Sequence, residues 1–286
     1  MTKAPLLRPF GLTLTALALL AAFPAGAQAA TLKETFAQSY PFAAGGTFTL
    51  RNVNGSVTLD AWDKNEVRVE ADKEVKADND ADAKKVMDQV KIDVQSAAGG
   101  LRVETKLPKH DDGFLSWLSG NHANVNVAYR VHLPRQAVID AESVNGHIAL
   151  TGTHGRAKLE TTNGRIQVTG VNGSLDLETT NGRIAATGVT GTVKADTTNG
   201  GIDLQFATVP RQGDLDLSTT NGSVTVKLPR GAALSVDAAV ANGRIHSDFQ
   251  VAGGEAGKHH LTGTINGGGG KLHIRTTNGG VHLTEG

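Results

Sequence analysis

The sequence predicts an all-β chain, a single-stranded parallel β-helix or β-solenoid with about 18 to 22 residues per coil, plus one short helix in an irregular N-terminal third. Three observations predict it. The tetrapeptide Thr-Thr-Asn-Gly begins at Thr161, Thr179, Thr197, Thr219 and Thr276. Asn145, Asn163, Asn181 and Asn199, each followed by Gly, stand 18 residues apart, and Asn221 and Asn242 follow at 22 and 21. Between corners the residues alternate strictly: Ile148, Ile166, Ile184 and Ile202 recur on one side of one strand, and Leu159, Leu177 and Leu217 on one side of the next. Composition agrees, since 35 Gly residues and 4% aromatics suit a narrow core with many turns.

In chain order, residues 1–29 are expected to be a signal peptide. Lys3 and Arg8 give a basic start, Leu12 to Phe23 is apolar, and Ala25-Gly26-Ala27 or Ala27-Gln28-Ala29 supplies small residues for cleavage. An apolar run of about 12 residues is short for a membrane span, which takes about 20. No second long apolar stretch follows, so no integral span is expected once the signal is removed. Absence of Cys excludes a lipid-attachment cysteine, a disulfide framework and a thiol nucleophile. The mature chain is expected in the periplasm, outside the cell or on its surface.

Residues 30–286 read as one continuous domain, with an irregular part over 30–140 and regular coils over 141–286. "RNVNGSVTLDAW" from Arg51 has the form of another coil, and "EVRVEADKEV" from Glu66 alternates like a strand. A helix is predicted near 78–90: its start is acidic, and Val86, Met87 and Val90 give it an apolar face. It is the candidate cover for one end of the stack, because open sheet edges need covering. Strands "KIDVQ" and "LRVETKL" follow, and "NVNVAYRVHLP" leads into the repeats.

Asn-Gly between alternating strands also signals a hairpin, so an antiparallel meander competes with the solenoid. The outward charges favour the solenoid. Lys158, Asp176, Lys194 and Asp216 occupy one place in successive repeats with alternating sign, which helps only if those residues are stacked neighbours. The corner is expected to use Gly, and Asn beside it, for tolerance of positive φ. Stacked Asn side chains are expected to form an amide ladder, and one Thr of each pair must face inward.

"LRNVNGSVTLDAWDKNEV", "YRVHLP" running into "SVNGHIAL", and the serial "TTNGRI" units together resemble the bacterial putative-adhesin domain family, exported proteins of unknown function predicted to be β-solenoids. The resemblance spans roughly Thr31 to Gly286 and implies an envelope or surface role. It brings no catalytic residues.

The chemistry the residues offer is sparse. Glu160, Glu178 and Asp196 form an acidic column that suits oxygen ligation of Ca²⁺ or acid/base work on a polysaccharide, but Arg165 and Arg183 just beyond the corners are expected to neutralise it. His246, His259, His260, His273 and His282 crowd the last part of the chain without the spacing of a metal site. No catalytic, metal or cofactor residue is assigned. The Gly-bounded loop with Phe114, Leu115, Trp117 and Leu118 reads as an end seal or as a partner-binding tip. Formal net charge is zero and gives no reason to expect nucleic acid. The leading reading is a non-enzymatic module presenting a polar repetitive surface to an envelope or extracellular glycan or protein. The alternatives are a polysaccharide-active enzyme using the acidic column, and a scaffold or sensor acting through Trp117.

Overall fold

The computed structural model describes residues 30–97, 99–107 and 123–286. Strands β1 (Ala30–Pro41), β2 (Thr47–Asn54), β3 (Val57–Trp62) and β4 (Glu66–Ala77) lead to helix α1 (Asp80–Gln89). β5 (Lys91–Ala97), β6 (Gly100–Lys106) and β7 (Asn124–Pro134) follow. Five strand pairs come next: β8 (Val138–Asn145) with β9 (Ile148–Thr151), β10 (Ala157–Asn163) with β11 (Ile166–Thr169), β12 (Leu175–Asn181) with β13 (Ile184–Thr190), β14 (Val193–Asn199) with β15 (Ile202–Thr208), and β16 (Asp214–Asn221) with β17 (Val224–Leu228). β18 (Leu234–Asn242), β19 (Ile245–Ser247), β20 (His260–Ile265), β21 (Gly270–Asn278) and β22 (Val281–Glu285) complete the order. The chain is all-β apart from α1, the one helix among the described residues. No helix among those residues is long and apolar enough to cross a membrane.

The strands make two sheets of 11. Sheet I holds β8, β10, β12, β14 and β16 side by side, and sheet II holds β9, β11, β13, β15 and β17. The Asn-Gly corner therefore carries the chain from one sheet to the other and never joins hairpin neighbours. Within each sheet these strands are parallel, with Leu159 opposite Leu177 and Ile166 opposite Ile184. The meander is excluded, and a solenoid-like stack remains.

The core lies between the sheets. Ile148, Ile166, Ile184 and Ile202 point in from sheet II and Leu159, Leu177, Ala195 and Leu217 from sheet I, all buried. Each large aliphatic side chain contributes roughly 1.5 to 3 kcal/mol by leaving water. Because every coil adds the same small set, the core is long and thin.

The ends depart from chain order. At one end β2 and β3 lie on β8 and β9, while β6 and β7, later in sequence, lie outside them. At the other end β21 and β22 are inserted between β16/β17 and β18/β19. The expected succession from Asn221 to Asn242 is thus corrected: Asn278 stands between them. Spacing alone favoured Asn242, because a ruler laid along the chain cannot register a later strand returning to an open place.

The expected irregular third contributes two coils and a cover. Antiparallel β4 and β1 extend sheet II beyond β7, and antiparallel β5 extends sheet I beyond β6. Helix α1 connects β4 to β5 and so crosses the end of the stack, burying Ala83, Val86 and Met87 with Val90 at its C-cap. Asn79 caps its N-terminus by accepting the Asp82 N–H at 2.9 Å, worth about 1 kcal/mol. Beneath this cover a buried polar chain runs from the Tyr129 hydroxyl to Thr105 at 2.7 Å, from Thr105 to Asn52 at 3.0 Å, and from Asn52 to the Val127 carbonyl at 2.9 Å. Burial pushes the Tyr129 phenol up to about 12, against the Thr105 hydrogen bond. At the opposite end β20 pairs with β18, and Ala252 and Ala256 bridge to Thr264 and Leu261.

Candidate interaction surface

The repeated tetrapeptide divides its four residues among four tasks. The first Thr faces inward: Thr161, Thr179, Thr197, Thr219 and Thr276 are buried, and each donates its hydroxyl to the carbonyl of a Gly in the adjoining coil at 2.9 to 3.1 Å. The second Thr is exposed. Asn forms the expected ladder. Asn163 donates to Asn145 at 2.8 Å, Asn181 to Asn163 at 2.8 Å and Asn199 to Asn181 at 2.9 Å. The ladder continues through Asn221, Asn278 and Asn242, and begins at Asn54.

The Gly has a different reason from the one expected. Among the described residues only Asn266, outside the ladder, combines a side chain with positive φ, and Gly164, Gly182 and Gly200 do not have it either. They are glycine because successive corners stack backbone on backbone. A Cβ on Gly182 would press into the Gly164 carbonyl oxygen, and one on Gly200 into that of Gly182. Space selects the residue at these corners, and Gly55 at the first corner of the ladder combines the same crowding with the expected positive φ, +122.

The outer face of sheet I carries ranks set by this register. One rank runs Asp140, Lys158, Asp176, Lys194, Asp216, His273, Asp237, each residue paired with the next across adjacent strands. The alternation read from four residues therefore extends to seven positions, with His273 in a cation's place. The neighbouring rank is Glu142, Glu160, Glu178 and Asp196, four carboxylates stacked like on like. Like charges directly opposite destabilise a sheet, so this rank needs cations from elsewhere.

They do not come from Arg165 and Arg183. Both lie past the corner on the sheet II side, and Arg183 pairs with Asp203 at 3.3 Å. The cations are instead in the alternating rank: Lys158 meets Glu160 at 3.0 Å, and Lys194 lies 3.3 Å from Asp196 and 3.9 Å from Asp176. Hydrogen bonds to Glu160 and Asp196 respectively, and their charges, hold both ammonium groups above the usual lysine value. At the first regular coil Arg51 reaches Asp140 at 2.7 Å and Glu142 at 2.9 Å. Glu178 and Asp216 enter no ion pair with described residues. The carboxylates of this face outnumber Arg51, Lys158 and Lys194, and its field is negative.

The acidic column is solvated and flat. Among the described residues no group of three or more His, Cys, Asp or Glu side chains is placed to hold a metal ion. The histidines are spread over both faces: His260 and His273 approach Asp237 at 3.7 and 3.5 Å on sheet I, while His246 and His282 lie with ring centres 6.4 Å apart on sheet II. Arg275, hydrogen bonded to Asp237 at 3.0 Å, holds that carboxyl below the usual range. Phe114, Leu115, Trp117 and Leu118 lie outside the described residues. Reading by repeats missed Trp62, Asp63 and Arg135, which gather at the far edge; the one signal was an aromatic residue closing an otherwise regular coil.

Two largely parallel sheets bridged by tight corners, with a ladder along one edge, define a solenoid-like stack. The family model Toastrack DUF4097 matches residues 50–284, and the chain belongs to that family. Among solved structures, a putative adhesin from Bacteroides fragilis NCTC 9343 is 10% identical, covering 87% of this chain and 97% of its own, with a TM-score of 0.45. A putative adhesin from Parabacteroides distasonis ATCC 8503 is 14% identical over 87% of this chain and 97% of its own, with a TM-score of 0.33. A putative cell adhesion protein from Clostridium sporogenes ATCC 15579 is 10% identical over 88% and 100%, with a TM-score of 0.28. No curated protein matches the chain significantly.

Proposed function

We propose that this chain is an exported, non-enzymatic interaction module. Residues 1–29 act as a cleaved signal peptide, and residues 30–286 form a single domain with 18 to 22 residues per coil in the regular region. It works in the periplasm or at the cell exterior, and presents the outer face of sheet I to an envelope or extracellular partner. One observation carries the reading: the in-register rank of Glu142, Glu160, Glu178 and Asp196, beside lysines too few to balance it. A rank of this kind offers a partner charge at a fixed repeat, and the partner it favours bears amines or guanidinium groups at matching intervals. The segment from Phe114 to Leu118, which lies in sequence between β6 and β7, is a second contact in this reading.

The test is capture from envelope extracts with the mature chain, beside a variant with Glu142, Glu160 and Glu178 changed to Gln and Asp196 to Asn. The wild-type chain should retain a basic partner at low salt and release it at high salt, and the variant should not retain it. Equal capture by both proteins overturns the assignment to this face. Release of reducing ends or unsaturated products from envelope or matrix glycans, abolished by Glu178→Gln, overturns the non-enzymatic reading. For the second contact, Trp117→Ala should weaken capture, and unchanged capture removes that segment from the proposal.

A further inference from the structure

The edge opposite the Asn ladder bears an open depression of about 270 Å³. Four connections meet there: the turn between β1 and β2, the turn after β3, the turn between β7 and β8, and the corner between β9 and β10. They bring Trp62, Asp63, Asn65, Arg135, Gln136 and His154 to one place. We propose that this depression binds one pyranose ring of a glycan, stacked on Trp62. The site is separate from the outer face of sheet I and stands whether or not that face binds a partner.

The argument starts from the indole. Its N–H donates to the Glu66 carbonyl at 2.8 Å, and His132 stacks on it with ring centres 5.2 Å apart and planes inclined by 22°. One hydrogen bond and one stacked ring hold the platform in a single orientation, the preorganisation that a recognition site needs. The ammonium of Lys64 lies over the ring, 4.5 Å from its centre, on a side chain that is 63% exposed and approaches Glu66 at 3.7 Å. That is a weak, displaceable cover on a flexible stem.

The rim has polar groups of the right kind. Arg135 grips Asp63 with two hydrogen bonds, at 2.6 and 3.3 Å, and also donates to the Gly152 carbonyl at 3.3 Å. The hydrogen bond from Arg135, followed by its charge, holds the Asp63 carboxyl below the usual range, and the group remains an acceptor. Asn65, Gln136 and His154 are exposed around it and supply donors and acceptors in planar side chains. A sugar ring needs this combination: an apolar face for its C–H groups and several fixed partners for its hydroxyls. The volume falls just below the roughly 300 to 1,000 Å³ of common small-molecule sites, which suits one ring with the rest of the glycan running out to solvent. A small cation is disfavoured, because Lys64 and Arg135 stand on the rim, where Arg135 already pairs with Asp63 and Lys64 with Glu66 at 3.7 Å.

The sequence has two tryptophans, so the full chain with Trp117→Phe reports Trp62 alone by its fluorescence. The probes are cello-, chito- and xylo-oligosaccharides and oligogalacturonate. At least one should give a saturable change in Trp62 emission in the micromolar to millimolar range. The same probe should bind about two- to fivefold more tightly to Lys64→Ala, which uncovers the ring. It should bind about tenfold or more weakly to Asn65→Ala combined with Gln136→Ala, surface changes that leave the core intact. No saturable change with any probe, or a response that the double variant leaves unaltered, overturns the proposal.

Discussion

Along one long edge of the stack the chain crosses between sheets in two residues at each Asn-Gly corner, such as Gly164-Arg165 or Gly182-Arg183. Along the other edge the connections run from the pair Gly191-Thr192 to longer stretches such as 209–213 and 229–233, and both described cavities, of about 610 and 270 Å³, open there. The first edge has an Asn ladder, Thr hydroxyls tied to backbone carbonyls, and no room for a Cβ. The second shares the crowding at Gly155, Gly173 and Gly191, but has no Asn ladder and no series of Thr hydroxyls tied to backbone carbonyls. The four extra residues between Asn199 and Asn221 are absorbed entirely on the second edge, since those two Asn still pair. Over the coils joined by Asn-Gly corners, one edge holds register and the other is thereby free to vary.

Four experiments break or sharpen that contrast. The largest effect is expected from Gly182→Ala, where the new methyl group meets backbone and nothing can yield; a loss of about 3 kcal/mol or more should appear in urea unfolding. Its control is Gly170→Ala on the opposite edge, at φ +62 with open space around it, where only the strain of left-handed backbone remains, about 1 to 2 kcal/mol. Equal losses would show that crowding is not what distinguishes these two positions.

Next is Asn181→Ala, which removes the bonds to Asn163 and from Asn199. At roughly 0.5 to 1.5 kcal/mol each, the expected loss is about 1 to 3 kcal/mol, measured by the same unfolding curve. Lys194→Gln follows on the face of sheet I. It leaves Asp176 and Asp196 facing each other's field, with an expected loss under about 1 kcal/mol that vanishes in molar salt. A loss independent of salt would assign Lys194 a packing role instead. The smallest effect is expected from inserting Gly-Ser-Gly after Arg211, in the lengthened connection before β16, where the added loop entropy is about 0.6 kcal/mol or less. The same insertion after Gly182 should prevent folding.

The middle coils were legible because each strand pairs with a neighbour in sequence. Alternation fixed the inward faces of Ile166 and Leu177, and repetition of Lys158, Asp176 and Lys194 at one position fixed the parallel pairing. The ends were not legible, because Asn242 and Asn278 carry the same local signal and only the geometry left open decides which lies on Asn221. Asn-Gly was also ambiguous about its own cause, since a corner needing space and a corner needing positive φ select the same glycine. Arg165 and Arg183 were misassigned for a related reason: distance along the chain from Glu160 and Glu178 is short, but the corner lies between them and turns the arginines onto the other sheet. Trp62 occurs once, and a method that weighs recurrence passes over a residue that does not recur.

The interleaved ends bear on how the molecule is made. Synthesis delivers β18 and β19 before β21 and β22, yet the later pair must occupy the place directly against β17. Until residues near 283 have been produced, that part of the column either waits open or closes on the wrong neighbour. Removing the segment from Gly270 onward would not trim a terminal rung. It would withdraw a keystone, leaving the coil beyond it with nothing to rest on.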